Sequence, residues 1–440
     1  MSYPLDYSIT ELNILAPNGT KFDFKKFMIN LSYYEDLFGF CSSGSLLVND
    51  SMGYIETLQL SGNEFIEIEV GKVAGAPNNI KETFRLYKIN KRKPTGNMMT
   101  EQYEFLFCSE ELILSEQIKI SQSYPDKKVS EIVQDILENK LKVNKNKIST
   151  IEETLGVYDL IVPVMRPLEA ISWVSTYGRP KNYPGADMIF YQDRVGFNFR
   201  SLQSLYKEPV YGTYKYSMKN LDDENQSMEE KQRSVLKYEI LKTYDSLAET
   251  KTGAMSSKLI SVDPLTRSFN VTNFDYSKYQ QNNNSAQLEK NSPTSFLTNR
   301  LGQTQNQAFD AVLKMTPSTS NHANVDYIKN KPGSVVKDLA YENNIPLRTA
   351  QLSLATFRRV KITIPGDTGI TVGKIIEFNI ASLDNTQKNK ELDKFYSGKY
   401  LVTALRHVFT TNQFQTLLEI SKDSSSTKLE TPNEQEFMGV

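Results

Sequence analysis

The hydrophobic period of this chain switches twice along its length, and that switch constrains the fold more than any other feature. In Phe65-Ile66-Glu67-Ile68-Glu69-Val70 the apolar Ile66, Ile68 and Val70 alternate with Glu67 and Glu69. A period of two is that of a half-buried strand, because successive side chains leave a strand on opposite faces. Tyr103 to Cys108 reads as a second strand, apolar on nearly both faces, and Phe84 with Leu86 marks a third. Turn signals separate them: Pro17-Asn18-Gly19, Ser61-Gly62-Asn63, Gly75-Ala76-Pro77-Asn78 and Pro94-Thr95-Gly96-Asn97. Strands at such spacing predict a sandwich or a barrel. From Asp126 to Lys142 the period becomes helical, with Val129, Ile132, Val133, Ile136, Leu137 and Leu141 along one stripe. Pro167 opens a second helix through Leu168, Ile171 and Val174, and Gly178 can end it. Two short apolar runs follow, Ala186–Tyr191 and Val195–Phe199, so residues 115–205 read as a small α+β unit.

The period of two then returns. Leu236, Tyr238 and Ile240 alternate with Lys237 and Glu239, and Phe269–Thr272 is another strand. Further strands are expected at Val360–Ile364, Ile376–Ile380, Tyr400–Phe409 and Phe414–Ile420. Between these groups the chain turns polar: of the 28 residues from Gln280 to Gln307, 18 are Asn, Gln, Ser or Thr. Such a stretch buries little apolar area and predicts a loop. Weak helical patterns sit at Phe309–Met315 and Val335–Tyr341, and the residues from Ser421 onward read as a polar tail. The expected fold is mainly β, α+β overall, with two antiparallel barrel or sandwich domains and a small α+β domain between them. The expected boundaries are 1–115 and 116–229, then 230–277 joined with 348–424, a polar insertion at 278–347, and a tail at 425–440. Periodicity by itself shows no repeat between the two β regions.

Charge and scarce residues narrow the function. The 440 residues carry 51 Lys and Arg against 52 Asp and Glu, a net charge of −1. That balance excludes a strongly basic nucleic-acid binder. No run of about 18 apolar residues exists to cross a membrane as a helix, so no membrane anchor is expected. Met1 to Asp6 carries neither a basic nor an apolar leader segment, so no secretory signal is read. Two cysteines, Cys41 and Cys108, make no disulfide framework or four-thiolate zinc site. Two histidines, His322 and His407, leave little for imidazole chemistry. No phosphate loop, dinucleotide fingerprint, zinc-protease helix or nucleophile elbow is present.

Asp222-Asp223-Glu224 is the one carboxylate cluster, and it reads as a solvated loop without a calcium-loop pattern. His407 reads as a hydrogen-bonded sheet residue, His322 as part of a loop, the cysteines as small buried hydrophobes and Trp173 as a packing residue. Arg358-Arg359 reads as the charged edge of a strand. No catalytic residue, cofactor or metal is assigned. The 24 tyrosines and 22 phenylalanines, against a single Trp, suit a chain built to pack and associate.

Three segments carry a resemblance. The first runs Leu31-Ser32-Tyr33-Tyr34-Glu35-Asp36-Leu37-Phe38-Gly39-Phe40, then Ser43 to Ser51, then Leu60-Ser61-Gly62-Asn63-Glu64. It resembles the start of the first tube domain in central baseplate hub proteins of contractile-tailed bacteriophages. The second, Asn198 to Leu205, is similar to the close of the small α+β domain in that family. The third, Phe395 to His407 with Phe414 to Asp423, resembles the final hairpin of the second tube domain. The resemblance covers roughly residues 8–424, with the polar insertion outside it.

The resemblance implies two tube-like β domains per chain and a homotrimer whose six domains form a ring. Such a ring joins a hexameric tail tube, or its initiator, to a trimeric cell-puncturing spike, with baseplate wedge proteins around it. It implies a virion component assembled in the host cytoplasm, with DNA able to pass the lumen and no nucleic-acid recognition. By the same resemblance, Glu35, Asp36, Phe38, Gly39 and Phe40 correspond to Gly366, Asp367 and Gly369 in the second domain, and both loops are candidate assembly contacts. The VgrG spikes of type VI secretion and other contractile injection systems share this fold, and a hub of that kind is the alternative. No needle-like C-terminal repeat follows the last strand here. A tail-associated cell-wall hydrolase is a third alternative, with Asp222–Glu224 its nominee.

Overall fold

The computed structural model describes residues 5–17, 19–58, 60, 62–73, 77–216, 227–263, 267–283, 285–291, 307–317, 341–382 and 392–427. Asp222-Asp223-Glu224, His322, the helical pattern before Tyr341 and the tail beyond Thr427 lie outside those residues.

The first β region forms β1 (Ser8–Leu15), β2 (Lys21–Asp23), β3 (Met28–Asp36), β4 (Ser43–Asp50), β5 (Phe65–Gly71), β6 (Ile80–Thr95) and β7 (Asn97–Cys108). The alternation in β5 is realised, with Ile66, Ile68 and Val70 buried. Glu69 is buried too, and it takes an ion pair from Lys81 on β6 at 2.8 Å. The small α+β unit holds β8 (Ile120–Lys127), β9 (Ile148–Ile151), β10 (Thr154–Leu155), β11 (Tyr158–Met165), β12 (Arg179–Pro180), β13 (Met188–Gln192) and β14 (Phe197–Ser201). Its helices are Val129–Asp135, continued by a wider turn at Ile136–Lys140, and Pro167–Ser175 with Pro at its first turn. Val129, Ile132, Val133, Ile136, Leu168, Ile171 and Val174 close a core of its own.

The second β region supplies β15 (Val210–Tyr216), β16 (Ser234–Val235) and β17 (Lys237–Lys242). An excursion then carries β18 (Ser256–Asp263), β19 (Ser268–Asp275) and β20 (Leu313–Pro317), which form a separate three-stranded sheet. The chain rejoins the main sheet in β21 (Arg358–Pro365), β22 (Ile375–Asn379), β23 (Gly398–Thr410) and β24 (Gln413–Lys422). The expected strand at Phe269–Thr272 therefore exists, but its partner is β18, because alternation reveals a strand's period and not its neighbour. Phe309–Met315 is a single tight turn, Phe309–Ala311, leading into β20, where parallel pairing with β18 overrides the weak helical pattern. The helix Asn344–Ala355 was not anticipated. Its Leu347, Ala350, Gln351, Leu354 and Ala355 are buried at helical spacing. The polar tail also begins later than expected. Ser421 to Ser425 are buried, with Ser421 Oγ donating to Ala355 O at 2.8 Å and Asn291 bridging Ser425.

The two β regions are one sheet. β3 and β23 pair antiparallel from Asp36–Ala404 to Asn30–Thr410, and fourteen strands run continuously through that seam. On either side lies the same five-strand order. β3-β4-β7-β6-β5 in the first region is matched by β17-β21-β24-β23-β22 in the second, and every pair within both sets is antiparallel. Even the irregularities match. The β6–β7 ladder slips between Leu86 and Lys88, and the β23–β24 ladder slips between Val402 and Ala404. Leu86 N–H goes to Glu64 O just before one slip, and Val402 N–H to Lys374 O just before the other. The match ends at the outer strand, since β1 lies antiparallel on β5 and β15 parallel on β22. The chain thus carries a duplicated unit that side-chain periodicity did not reveal.

Candidate assembly interface

The site builds outward from the seam. At its centre His407 on β23 faces Tyr33 on β3, their rings parallel within 9° at 6.1 Å. His407 is fully buried, and its Nδ1 shares a 2.9 Å hydrogen bond with Thr416 Oγ1. Burial, helped by Arg194, pushes its pKa down to about 3, so it is a neutral structural imidazole. Tyr33 Oη donates to Glu35 Oε1 at 3.1 Å.

Glu35 joins three parts of the chain. Oε1 accepts from Arg194 N–H of the small unit at 2.7 Å, and Oε2 accepts from Val372 N–H of the second β unit at 3.0 Å. Burial first, then the charge of Asp193, push its pKa up to about 8. Glu35 is thus an internal tie within the chain, since it is only 2% exposed. The loop beyond it is pinned as well. Leu37 is buried and donates its N–H to Thr403 O at 2.8 Å, and Phe40 packs on the core of the small unit. Asp36 Oδ1 accepts from Phe38 N–H at 2.9 Å, and Gly39 closes the turn onto Asp36 O. Asp36 and Phe38 are the exposed members, Phe38 at 44%.

The second loop is a clamped turn. Gly366 is buried, and an added Cβ would stand 2.0 Å from the Phe414 ring. Asp367 Oδ2 accepts from Tyr211 Oη at 2.9 Å, Oδ1 accepts from Gly369 N–H at 2.9 Å, and Asp367 N–H donates to Thr416 Oγ1 at 3.1 Å. Asp367 and Gly369 keep part of their surface.

The structure does not bring the two loops together. The first leaves the seam beside Ala404 and the second meets Phe414, which sits across from Phe409. Ala404 to Phe409 is roughly 17 Å of strand. Sheet order also changes their correspondence. Since β4 matches β21, the turn at 365–369 matches the turn after β4, where Asp50 accepts from Met52, Gly53 and Tyr54 N–H and from Tyr103 Oη. The counterpart of the 37–42 loop is the whole excursion between β17 and β21.

Other singled-out residues serve the fold. Arg358 is buried over the Phe357 and Tyr396 rings with a hydrogen bond to Phe395 O, and Arg359 pairs with Glu419 at 2.8 Å. β21 lies between β17 and β24, so this pair is not the solvated edge that the sequence suggested. Burial raises both cysteine thiols, Cys108 to about 11. Trp173 packs edge-on to Tyr177 at 5.2 Å. Asp187 and Asp423, both raised to about 6 by burial, accept from Gln203 and Leu288 N–H. Among the described residues no group of three or more His, Cys, Asp or Glu could hold a metal ion, and no helix is long and apolar enough to cross a membrane.

A β-rich chain with two tube-like units in one sheet and a small α+β unit has the fold of phage tail proteins. A tail protein from Neisseria meningitidis MC58 superposes with a TM-score of 0.53 at 10% identity, over 95% of this chain and 97% of that one. A prophage MuSo2 tail protein from Shewanella oneidensis gives 0.50 at 8% identity, over 94% and 98%. In sequence, the chain is 24% identical over 404 residues to a probable baseplate hub protein of Vibrio phage KVP40, covering 90% of each. No family model matches. The resemblance to the baseplate hub proteins of contractile phages, carried in the sequence by three segments, extends across most of the chain.

Proposed function

We propose that this chain is a structural subunit of a phage tail baseplate: the central hub, a homotrimer whose six β units form a ring between tail tube and spike. The observation that carries the reading is the duplicated five-strand unit joined edge to edge in one sheet. A three-fold object can meet a six-fold one when each subunit offers two near-equivalent faces, and rings are built from head-to-tail interfaces repeated about an axis. The two loop groups support an axial arrangement, because the first leaves β23 at its midpoint, beside Ala404, and the second meets its far end, beside Phe409. Asp36 and Phe38 in the first, and Asp367 and Gly369 in the second, would meet different neighbours: tube or tube initiator on one side, spike on the other, with wedge proteins outside. Glu35 and Gly366 act by holding those loops in place. The activity is scaffolding within the virion, without a chemical step.

Mass measurement by light scattering on the purified full chain tests the proposal. A species of three chains, each 50.2 kDa, is expected. A stable monomer at high concentration overturns it.

A further inference from the structure

The small separate sheet of the excursion ends in an edge without the usual guards. Its order is β19-β18-β20, so β19 is an edge strand with no second sheet partner among the described residues. The β18–β19 ladder runs through eight pairs, from Ser256–Asp275 to Asp263–Ser268, without a slip. Natural edges are blunted by charges, by Pro or by bulges, because a long regular edge offers its free backbone groups to any passing strand. From Ser268 to Phe274 β19 carries no charged residue and no Pro, and Ser268 to Asn273 are exposed. The opposite edge is guarded. β20 has five residues, holds Lys314 and ends at Pro317.

Both faces of the sheet offer apolar contact beside the open edge. On one face Phe269 lies opposite Val262 and Val271 opposite Ile260, with Met315 on the far side of Ile260. Phe269 is 72% exposed and Met315 68%. On the other face Leu259 lies opposite Thr272 and Ser257 opposite Phe274. That face packs toward the helix Asn344–Ala355, where Lys314 Nζ donates to Thr349 Oγ1 at 2.6 Å. Beside the second half of β19 a cavity of about 400 Å³ opens. Thr272 to Asp275 form one wall, and Leu259, Tyr279, Phe309 and Pro346 complete it.

An unguarded edge next to a side-chain pocket is the arrangement that recognises a peptide by strand addition. Main-chain hydrogen bonds hold the peptide, and pockets select its alternate side chains. We propose that an extended segment of a second, different polypeptide adds to β19 as a fourth strand. One large apolar side chain of that segment fills the 400 Å³ cavity, and its neighbours in sequence lie beside Phe269 and Val271. The segment is uncharged where it pairs, because β19 offers no opposite charge from Ser268 to Phe274 and an unpaired charge is costly to bury. A second copy's β19 does not fit the cavity. On the face that holds Thr272 it carries Ser268, Asn270 and Phe274, and Phe274 already lines the cavity of its own chain.

Hydrogen exchange on the full chain tests the proposal. The probe is a synthetic peptide that alternates Thr and Val about a central Phe. Fast exchange along β19 in the free chain, slowed when the peptide is added, is expected. Replacing the central Phe of the peptide with Ala should weaken binding about ten- to a hundredfold. Phe309→Ala in the chain should bring the two peptides closer in affinity. Methylating alternate backbone nitrogens of the peptide on its pairing edge should abolish binding, and this arm needs no variant of the chain. Absence of binding, or binding that ignores the methylation, overturns the strand addition. So does protection of the open side of β19 in the free chain, which would mean that the chain fills its own edge. Protection that grows with chain concentration alone would assign the edge to a second copy and also overturns it. The contact is independent of the number of copies: a monomeric chain that binds the peptide would overturn the hub reading and leave this one standing.

Discussion

Glu35 is a carboxyl shared by three parts of one chain, and its protonation should be felt by all of them. Its folded pKa, about 8, lies above the ordinary 4.5, so the folded state holds a proton that the unfolded state has released between those values. Its contribution is present below pH 4.5 and is lost as pH rises through 8. At about 1.4 kcal/mol per unit, the loss is on the order of 5 kcal/mol. Glu35→Gln should flatten this decline, as urea melts at about pH 5 and pH 8 would read; an unchanged slope refutes the assignment. His407 has the opposite sign. Its pKa, lowered from 6.5 to about 3, makes its contribution present above pH 6.5 and lost as pH falls toward 3. Replacing His407 with Gln should reduce acid sensitivity in that window, measured by thermal melts across it. Gly44 has no room for a methyl, since a Cβ there would sit 2.3 Å from the Phe107 ring and 2.5 Å from Ser32 O. Gly44→Ala should cost about 1–3 kcal/mol or more, read from denaturant midpoints.

At the scale of elements, the strands were legible and their partners were not. The alternation of β5 and the apolar run of β7 appear in the residues themselves, and so does the stripe from Val129 to Leu141. Neither β19 nor β20 announces that it belongs to a small separate sheet, because pairing is a long-range property. The seam was illegible for the same reason: nothing in Leu31 to Asp36 names Ala404 to Phe409 as its neighbour. The buried stripe of the helix Asn344–Ala355 was readable in principle, but Pro346 and the polar residues around it masked the period. Of the site, the loop at 36–40 was found through resemblance, while Glu35 was assigned to the surface when its partners bury it. The open edge of β19 was missed entirely. The helix Asn344–Ala355 also makes a local prediction. Leu354 packs with Met255, Tyr276 and Phe357 in a cluster apart from the main core. Leu354→Ala should cost about 2–5 kcal/mol within that cluster. Hydrogen exchange should then show β18 and β19 losing protection while β3 and β23 keep theirs; equal losses in both would refute local coupling.

For the whole molecule, the near-neutral charge speaks against a strongly basic nucleic-acid binder, and Tyr and Phe are abundant. They are also what a subunit packed against its own copies requires, because a large like-sign charge would oppose assembly. The proposed strand addition predicts an order of protection. In the isolated chain the amides of the β3–β23 seam should already exchange slowly, while those of β19 exchange fast on its open side. With the peptide bound the second set should slow toward the first. Slowing elsewhere, with β19 unchanged, would place the contact at another surface.

The excursion between β17 and β21 has a consequence of its own. It occupies in the second unit the place where the first has only the short turn 37–42. A ring that alternated these units would carry six nearly interchangeable strand sets and three additional lobes. A neighbour reading the strands would find six equal settings, and one reading the lobes would find three. The lobes would act as teeth on a key, fixing rotational phase where the barrel alone leaves it free.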